Sequence, residues 1–321
     1  MNILVTGGAG FIGSNLVGAL LEDERVDIVR VLDNLATGSI ENLKDYQGNP
    51  AFEFLEGDIT DYDACLKACE GIHRITHQAA LGSVPRSIKN PLLTNAVNVG
   101  GTLNIFNAAR ECGLDRVVYA ASSSTYGDST ELPKVEDRIG KPLSPYAVTK
   151  LVNELYADVF HQTYGTDFVG LRYFNVFGRK QSPDGAYAAV IPIFFSLALK
   201  GEGPVINGDG TFSRDFTYID NVIQANKLAL FSNSPEALNE VYNIGAGQRT
   251  TLNELWSRIR ELTGTEVYAH YGPTRPGDVP HSLADITKAR KLLGYDPAIS
   301  VMDGLTLAAD WYATNLTPAK A

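Results

Sequence analysis

The sequence predicts an α/β protein, a doubly wound parallel sheet with a smaller α/β substrate-binding domain, on three observations. Short β-branched runs alternate with helical patterns through the first half of the chain, as βαβ units require. A glycine turn, Gly7-Gly8-Ala9-Gly10-Phe11-Ile12-Gly13, follows the first run and opens the first helix. After Arg172 the pattern changes, with Gly, Pro and Asp punctuating residues 178–210 and a mixed segment running from Thr250 to the end.

The elements follow in order. Strands are expected near residues 2–6, 27–33, 52–57, 72–77, 116–122 and 167–173, and helices over 11–22, 61–70, 92–112 and 145–164. Right-handed crossovers make a doubly wound sheet the economical topology, with ligands at the carboxyl ends of the strands. The run Glu240-Val-Tyr-Asn-Ile-Gly245 reads as a strand returning to the sheet, and Thr251 with Glu254 forms a capping box for the next helix. The expected division is a nucleotide-binding domain of residues 1–174 plus 215–248 and a substrate-binding domain of 175–214 plus 249–321, with substrate in the cleft.

Composition excludes several classes. A hydrophobic content of 44% over 321 residues supports large cores rather than disorder or a fibre. A net charge of −10 opposes nucleic acid and anionic membrane as partners, so cations that grip an anionic ligand must be local exceptions. Three cysteines, two of them one helical turn apart at Cys65 and Cys69, make no disulfide framework, and no metal is expected. No apolar stretch reaches the roughly 18 residues of a membrane span, and Asn2-Ile-Leu-Val-Thr6 begins without a basic leader, so a cytoplasmic enzyme is expected.

The glycine turn has a chemical use. Glycines at 7, 10 and 13 let the backbone approach a pyrophosphate, which then sits at the positive end of the helix dipole. A glycine turn alone is an ordinary loop. Here it has a strand before it and a helix after it, and Asp33 stands at the end of the second strand. A carboxylate there accepts both ribose hydroxyls of NAD and repels the 2′-phosphate of NADP, and no Arg or Lys follows in Asp33-Asn34-Leu35-Ala36. The expectation is a Rossmann-type site for NAD.

Tyr146 and Lys150 lie four residues apart near the start of a helix introduced by Ser144-Pro145, on one face. A phenol with a pKa of about 10 is a poor base at neutral pH, but a nearby ammonium and a nicotinamide cation both favour the phenolate. Ser122-Ser123-Ser124 ends the strand before it, at the sheet edge where a ligand lies. A Tyr–Lys pair alone would more simply be an amphipathic helix with a snorkelling lysine. Joined to the glycine turn, Asp33 and the serine run, it reads as a catalytic pair.

With these residues in place, the sequence resembles the extended short-chain dehydrogenase/reductase family, and within it the nucleotide-sugar 4-epimerases, over nearly the whole chain. Asp58-Ile59, His77-Gln78-Ala79-Ala80, Asn98 and Tyr173-Phe174-Asn175-Val176 extend the likeness. The resemblance implies a cofactor site of Gly7, Gly10, Phe11, Ile12, Gly13, Asp33, Asn34, Asp58, Ile59, Gln78, Ala79, Ala80, Asn98, Tyr146, Lys150 and Tyr173. It implies that Tyr146 is the acid/base, that Lys150 holds the nicotinamide ribose and that Ser122 polarises the 4-hydroxyl, with Ser123 as the alternative. Sugar dehydratases and decarboxylases carry a carboxylate after the serine position, whereas this chain reads Ser122-Ser123-Ser124-Thr125-Tyr126-Gly127.

The same resemblance gives Arg214 and Arg275 to the diphosphate and Asp278 to the uridine ribose, and places Gly82, Ser83, Ser122, Ser124, Asn175, Val190, Asn207 and Ser282 around the substrate. Ser282 stands where epimerases restricted to unacetylated sugars carry Tyr. A small side chain there opens the sugar box, so the implied substrate is a UDP-N-acetylhexosamine, interconverted between UDP-GlcNAc and UDP-GalNAc, with UDP-Glc and UDP-Gal open as further substrates. Such a difference discriminates by only about 1–3 kcal/mol. Arg86 and Arg179 keep a UDP-uronic acid open as substrate, and a non-catalytic NAD-binding regulator is the reading from another class. Apolar residues on several faces of the helices at 92–112 and 145–164, among them Leu103, Ile105, Phe106, Ala109, Leu151, Leu155, Tyr156 and Phe160, suggest a homodimer through a four-helix bundle, as is usual in the family.

Overall fold

A computed structural model describes residues 1–183, 188–274 and 279–316. Its centre is a seven-stranded parallel sheet formed by β1 (Asn2–Thr6), β2 (Ile28–Asp33), β3 (Phe52–Glu56), β4 (Arg74–His77), β5 (Arg116–Ser122), β6 (Asp167–Tyr173) and β7 (Glu240–Ile244). The order across the sheet is β7-β6-β5-β4-β1-β2-β3. The middle strands are apolar on both faces, Ile3, Leu4 and Val5 being fully buried, because helices cover the sheet on both sides.

One face carries α1 (Phe11–Leu21) and, later in the chain, the helix Ile219–Phe231; the other carries α2 (Tyr62–Cys69), α3 (Thr102–Glu111) and α4 (Pro145–Tyr164). Phe106 of α3 is the centre of the second layer. Its ring lies 4.6 Å from Phe168, 5.7 Å from Tyr119 and 6.0 Å from Phe160, centroid to centroid. Ile105, Phe106, Ala109 and Phe160 are thus consumed by the subunit's own core. The apolar side chains left exposed on this side include Ile88, Leu92, Leu93, Val148, Leu155 and Val159.

The helix expected over 92–112 runs without interruption over 91–111 but changes its pitch within it. Pro91–Asn95 and α3 are joined by a π-helical turn, Ala96–Gly101. Two contacts account for it: a Cβ on Gly101 would fall 2.6 Å from Ile59 Cδ1, and the Asn98 amide is tied to Leu81. Residues 178–210, punctuated by Gly, Pro and Asp and given no element by the sequence, hold α5 (Val190–Lys200), in whose first turn Pro192 has no intrahelical acceptor to lose.

The sheet-covering helix Ile219–Phe231 is α6, while in the second lobe α5 packs with α7 (Leu252–Thr263) and α8 (Val301–Leu316). One buried cluster runs from Ile3 and Val5 of the sheet through Phe177 and Tyr218 to Trp256 and Tyr312. Among the described residues no helix is long and apolar enough to cross a membrane, and no group of three or more His, Cys, Asp or Glu is placed to hold a metal.

Candidate active site

A cavity of about 510 Å³ opens at the carboxyl ends of β1, β2 and β4. Gly7 turns the chain with φ +68°, and a Cβ on it would lie 2.7 Å from the Ala79 main chain. A Cβ on Gly13 would lie 2.2 Å from the Gly7 carbonyl oxygen, so the turn and α1 pack only as glycine. Gly10 caps α1 without a side-chain bond, which leaves the helix N-terminus to an anion. Phe11, Ile12, Asp33, Asn34, Asp58, Ile59, Gln78, Ala79, Ala80 and Gly82 complete the walls with Gly7, Gly10 and Gly13, and no Arg or Lys is among the described lining residues.

Asp33 is fixed at the end of β2 by the main chain, its carboxylate accepting from Ala9 N–H at 2.9 Å and Leu35 N–H at 2.8 Å. Asn34 donates to Asp58 at 2.6 Å. Burial pushes the Asp58 carboxyl up, but bonds from Thr60 and Asn34 outweigh it and hold it below its ordinary value. A side-chain-free cradle, a fixed carboxylate and the absence of a cation beside it fit NAD.

The catalytic candidates sit on the next strands. Ser144 caps α4 by accepting from Ala147 N–H at 3.1 Å, Pro145 opens the first turn, and Tyr146 and Lys150 follow on one face. Lys150 Nζ donates to the Ala120 carbonyl at 2.8 Å and stands 6.0 Å from the Tyr146 ring centre. Burial raises the Tyr146 phenol's pKa, and a hydrogen bond with Ser122 pulls it back. Burial brings Lys150 down to about 8, against the pull of Glu154. Of the serine run, Ser122 is the one whose hydroxyl lowers the Tyr146 pKa, and its Oγ lies 2.9 Å from Ser124 Oγ.

Ser122 pairs in register with Tyr173 of β6. The Tyr173 hydroxyl donates to Gln78 at 3.2 Å and accepts from Asn226 at 2.8 Å, and burial pushes its pKa up to about 12. Asn98 is fully buried one layer behind, its amide spent on the Leu81 main chain and Thr149. His77 is buried between Thr6, at 2.6 Å, and Thr102, at 3.0 Å; burial pushes its pKa down to about 3, so the ring is neutral.

Two residues past Tyr173, Asn175 enters the wall of a second cavity of about 420 Å³, where it meets Val190, Asn207 and Arg214. The other walls are apolar, aliphatic side chains with four phenylalanines among them, Phe177, Phe194, Phe212 and Phe216. Arg214 donates to the carbonyls of Ser213 and Pro280, and Ser282 N–H donates to Ser213 at 3.1 Å, which sets Ser282 beside the strand of Arg214. Gly82 has open space where a Cβ would be, and Ser83 is held at φ +92° with its hydroxyl accepting from Arg86 N–H. Arg275 and Asp278 lie outside the described residues.

Two participants, Asp215 and Asn226, are not evident from sequence spacing. Asp215, fully buried, accepts from Ala246, Gly247 and Ala284 N–H at 2.7–3.1 Å, tying the segment after β7 and the segment before Asp285 to the strand of Arg214. Burial outweighs those bonds and pushes its pKa up to about 6. Asn226 reaches Tyr173 from α6, a contact with no local signature. Arg179 forms a 2.7 Å ion pair with Asp220.

Comparison with known proteins agrees with this geometry. Residues 3–245 match the NAD dependent epimerase/dehydratase family. The UDP-glucose 4-epimerase of Mycolicibacterium smegmatis is 36% identical over 314 residues, 97% of this chain and 98% of that one. The crystal structure of UDP-glucose 4-epimerase with UDP-glucose from Thermotoga maritima superposes with a TM-score of 0.91 at 37% identity, covering 99% of this chain and 100% of that one. UDP-N-acetylglucosamine 4-epimerase from Methanobrevibacter ruminantium, in complex with UDP-N-acetylmuramic acid, superposes with a TM-score of 0.92 at 38% identity over 98% of both chains. A likeness that runs end to end through fold and sequence alike leaves one assignment: the chain belongs to the NAD dependent epimerase/dehydratase family, and NAD is its cofactor.

Proposed function

We propose that this NAD-dependent UDP-sugar 4-epimerase acts on UDP-N-acetylhexosamines, interconverting UDP-GlcNAc and UDP-GalNAc through a transient 4-keto sugar. The observation that carries the chemistry is Lys150 one helical turn after Tyr146, its Nζ 6.0 Å from the Tyr146 ring centre, at the end of the strand that carries Ser122. NAD, when bound, supplies a reversible acceptor for the C4 hydride. Tyr146 takes the O4 proton and later returns it, Ser122 donates a hydrogen bond to O4, and the Lys150 ammonium favours the phenolate and holds the nicotinamide ribose.

Arg214 and Arg275 grip the diphosphate while Asp278 holds the ribose, so that the sugar turns about a fixed anchor. Asn175, Val190 and Asn207 line the cavity that takes the nucleotide, and Gly82, which lines the cofactor cavity, floors the sugar box with the adjoining Ser83. No carboxylate follows Ser122 before Asp128, which leaves elimination without its acid/base group. Ser282 supports the acetylated sugar, since a side chain of that size leaves room for an N-acetyl group to rotate. The uronate reading loses one of its two cations, because Arg179 is already paired with Asp220. The exposed Val148, Leu155 and Val159 on α4, with Leu92 beside them, support pairing of two subunits through these helices.

The test is C4 inversion followed by proton NMR, with UDP-GlcNAc, UDP-Glc and UDP-glucuronate offered separately, with and without added NAD. Faster conversion of UDP-GlcNAc is expected, with turnover lost in Tyr146→Phe by about 100- to 10,000-fold. Equal rates on UDP-GlcNAc and UDP-Glc remove the sugar preference and keep the epimerase. Conversion of UDP-glucuronate alone moves the assignment to the uronic acid.

A further inference from the structure

We propose that Asn243 is a positioning residue that joins the two sides of the active site: its amide oxygen secures the turn that follows Ser122, and its amide nitrogen secures the segment that carries Ser282. Asn243 is fully buried on β7, in register with Arg172 of β6. Its Nδ2 donates to the Lys134 carbonyl at 2.8 Å and to the Asp285 carbonyl at 3.1 Å. Its Oδ1 accepts from the Tyr126 hydroxyl at 2.6 Å, and its main-chain N–H donates to Glu136 Oε1 at 2.9 Å.

No bond in this set can be turned round. Carbonyl oxygens only accept, so the end of the amide that faces Lys134 and Asp285 is the NH2. The amide oxygen is then left to Tyr126, whose hydroxyl gives Asn243 its one hydrogen and accepts from Arg172 Nη1 at 3.1 Å, a guanidinium having only donors. Burial pushes the Tyr126 pKa up to about 12, so that hydrogen is kept.

Each arm ends at the active site. On one side Tyr126 closes the 3₁₀ turn Ser123–Tyr126, in which Ser124 N–H donates to Ser122 Oγ at 3.2 Å and Thr125 Oγ1 to the Ser122 carbonyl at 2.8 Å. The turn packs against α4, and Arg172 grips Glu154 of α4 at 2.7 Å, one helical turn beyond Lys150. On the other side an isolated parallel bridge pairs Lys134 with Ala284. Lys134 N–H donates to the Leu283 carbonyl at 2.7 Å and Asp285 N–H to the Lys134 carbonyl at 2.9 Å, which fixes the chain just after Ser282. Asn243 lines neither the cofactor cavity nor the substrate cavity, so it acts through these two arms.

The inference rests on Ser122 and Tyr146 being the reacting pair, and the experiment separates the two. Steady-state kcat and KM of the NAD-loaded parent, Tyr126→Phe, Asn243→Ala, the double variant and Tyr146→Phe are measured on whichever of UDP-GlcNAc, UDP-Glc and UDP-glucuronate the parent converts fastest. Tyr126→Phe cuts the oxygen arm alone and is expected to lower kcat about 10- to 100-fold, the cost of a misplaced reacting group, with KM within about twofold. Asn243→Ala cuts both arms and is expected to lower kcat by the same factor and to raise KM about tenfold. Adding Tyr126→Phe to Asn243→Ala then costs no further kcat, because the bond between them is already gone. Losses of kcat that multiply in the double variant overturn the proposal, as does an Asn243→Ala whose KM stays at the parent value. A fall in stability with kcat and KM both unmoved makes Asn243 a packing residue only and overturns it too. If Asn243→Ala does not fold, Tyr126→Phe decides alone: the expected fall in kcat at constant KM supports the proposal, and parental kcat overturns it. Full turnover in Tyr146→Phe overturns the reading of the reacting pair and this proposal with it; an inactive Tyr146→Phe beside parental kcat in Tyr126→Phe overturns this proposal alone.

Discussion

The two cavities are built by different means. The cofactor cavity is made by main chain at strand ends: Gly7, Gly10 and Gly13 lie within one turn, and Asp33 is held by the N–H groups of Ala9 and Leu35. The substrate cavity gathers Asn175, Val190, Asn207 and Arg214 from separate segments and fixes the strand of Arg214 through one buried carboxylate, Asp215. A site made of local backbone geometry is rigid by its turns. A site assembled from distant segments depends on a few tertiary bonds, and is where substrate choice can change without disturbing the cofactor.

The largest expected effect breaks that dependence. Asp215→Ala strands three buried N–H groups at roughly 1–3 kcal/mol each, some of it relieved by entering water. A loss of about 3 kcal/mol in urea unfolding is expected, with substrate KM raised more than NAD affinity is lowered. A loss under about 1 kcal/mol would show that the second cavity is held by its apolar walls instead.

The next effect sharpens the comparison on the substrate side alone. Ser282→Tyr is expected to lower kcat/KM for UDP-GlcNAc relative to UDP-Glc by about 10- to 200-fold, the range that pocket size commands. NAD affinity, measured by calorimetry, stays unchanged. A parallel fall on both sugars would place Ser282 away from the acetyl group.

The last effect is read against pH and gives the two halves opposite signatures. His77 is neutral in the fold, so the unfolded chain gains a proton first as pH falls below the ordinary histidine value of 6.5. The stabilising difference between parent and His77→Gln should shrink by about 1.4 kcal/mol per pH unit from pH 6.5 toward 4. Asp215, with its pKa raised, keeps its proton longer in the fold, so its contribution is present below about pH 4 and declines as pH rises to about 6. Asp215→Asn compared with the parent should show that reverse slope. Slopes of the same sign in both variants would contradict the contrast.

The legibility of the sequence divides along the same line. Strands such as Ile28–Asp33 and Arg116–Ser122 fall within a residue or so of their expected places, because β-branched runs bounded by turns encode them locally. The π turn at Ala96–Gly101 was not legible, since its causes are the tertiary contacts of Gly101 with Ile59 and of Asn98 with Leu81. In the second lobe α5 escaped because Gly and Pro on either side mask an apolar helix, and Asp215 because a carboxylate beside Arg214 looks like a partner in charge. The apolar residues on α3 were visible as a stripe but not as a stripe facing inward. Phe106 needed Tyr119, Phe160 and Phe168 around it to be recognised as core.

The order of strands bears on how the chain is made. β7 closes the sheet beside β6, yet residues 174–239 lie between them in the chain. Until residue 244 has left the ribosome, the main-chain groups of β6 that point away from β5 face no partner. They form an open rim beside the buried Phe168 and Leu171, a template on which another nascent chain can add. The last strand of the sheet is therefore also the seal that keeps a newly made molecule from joining its neighbours.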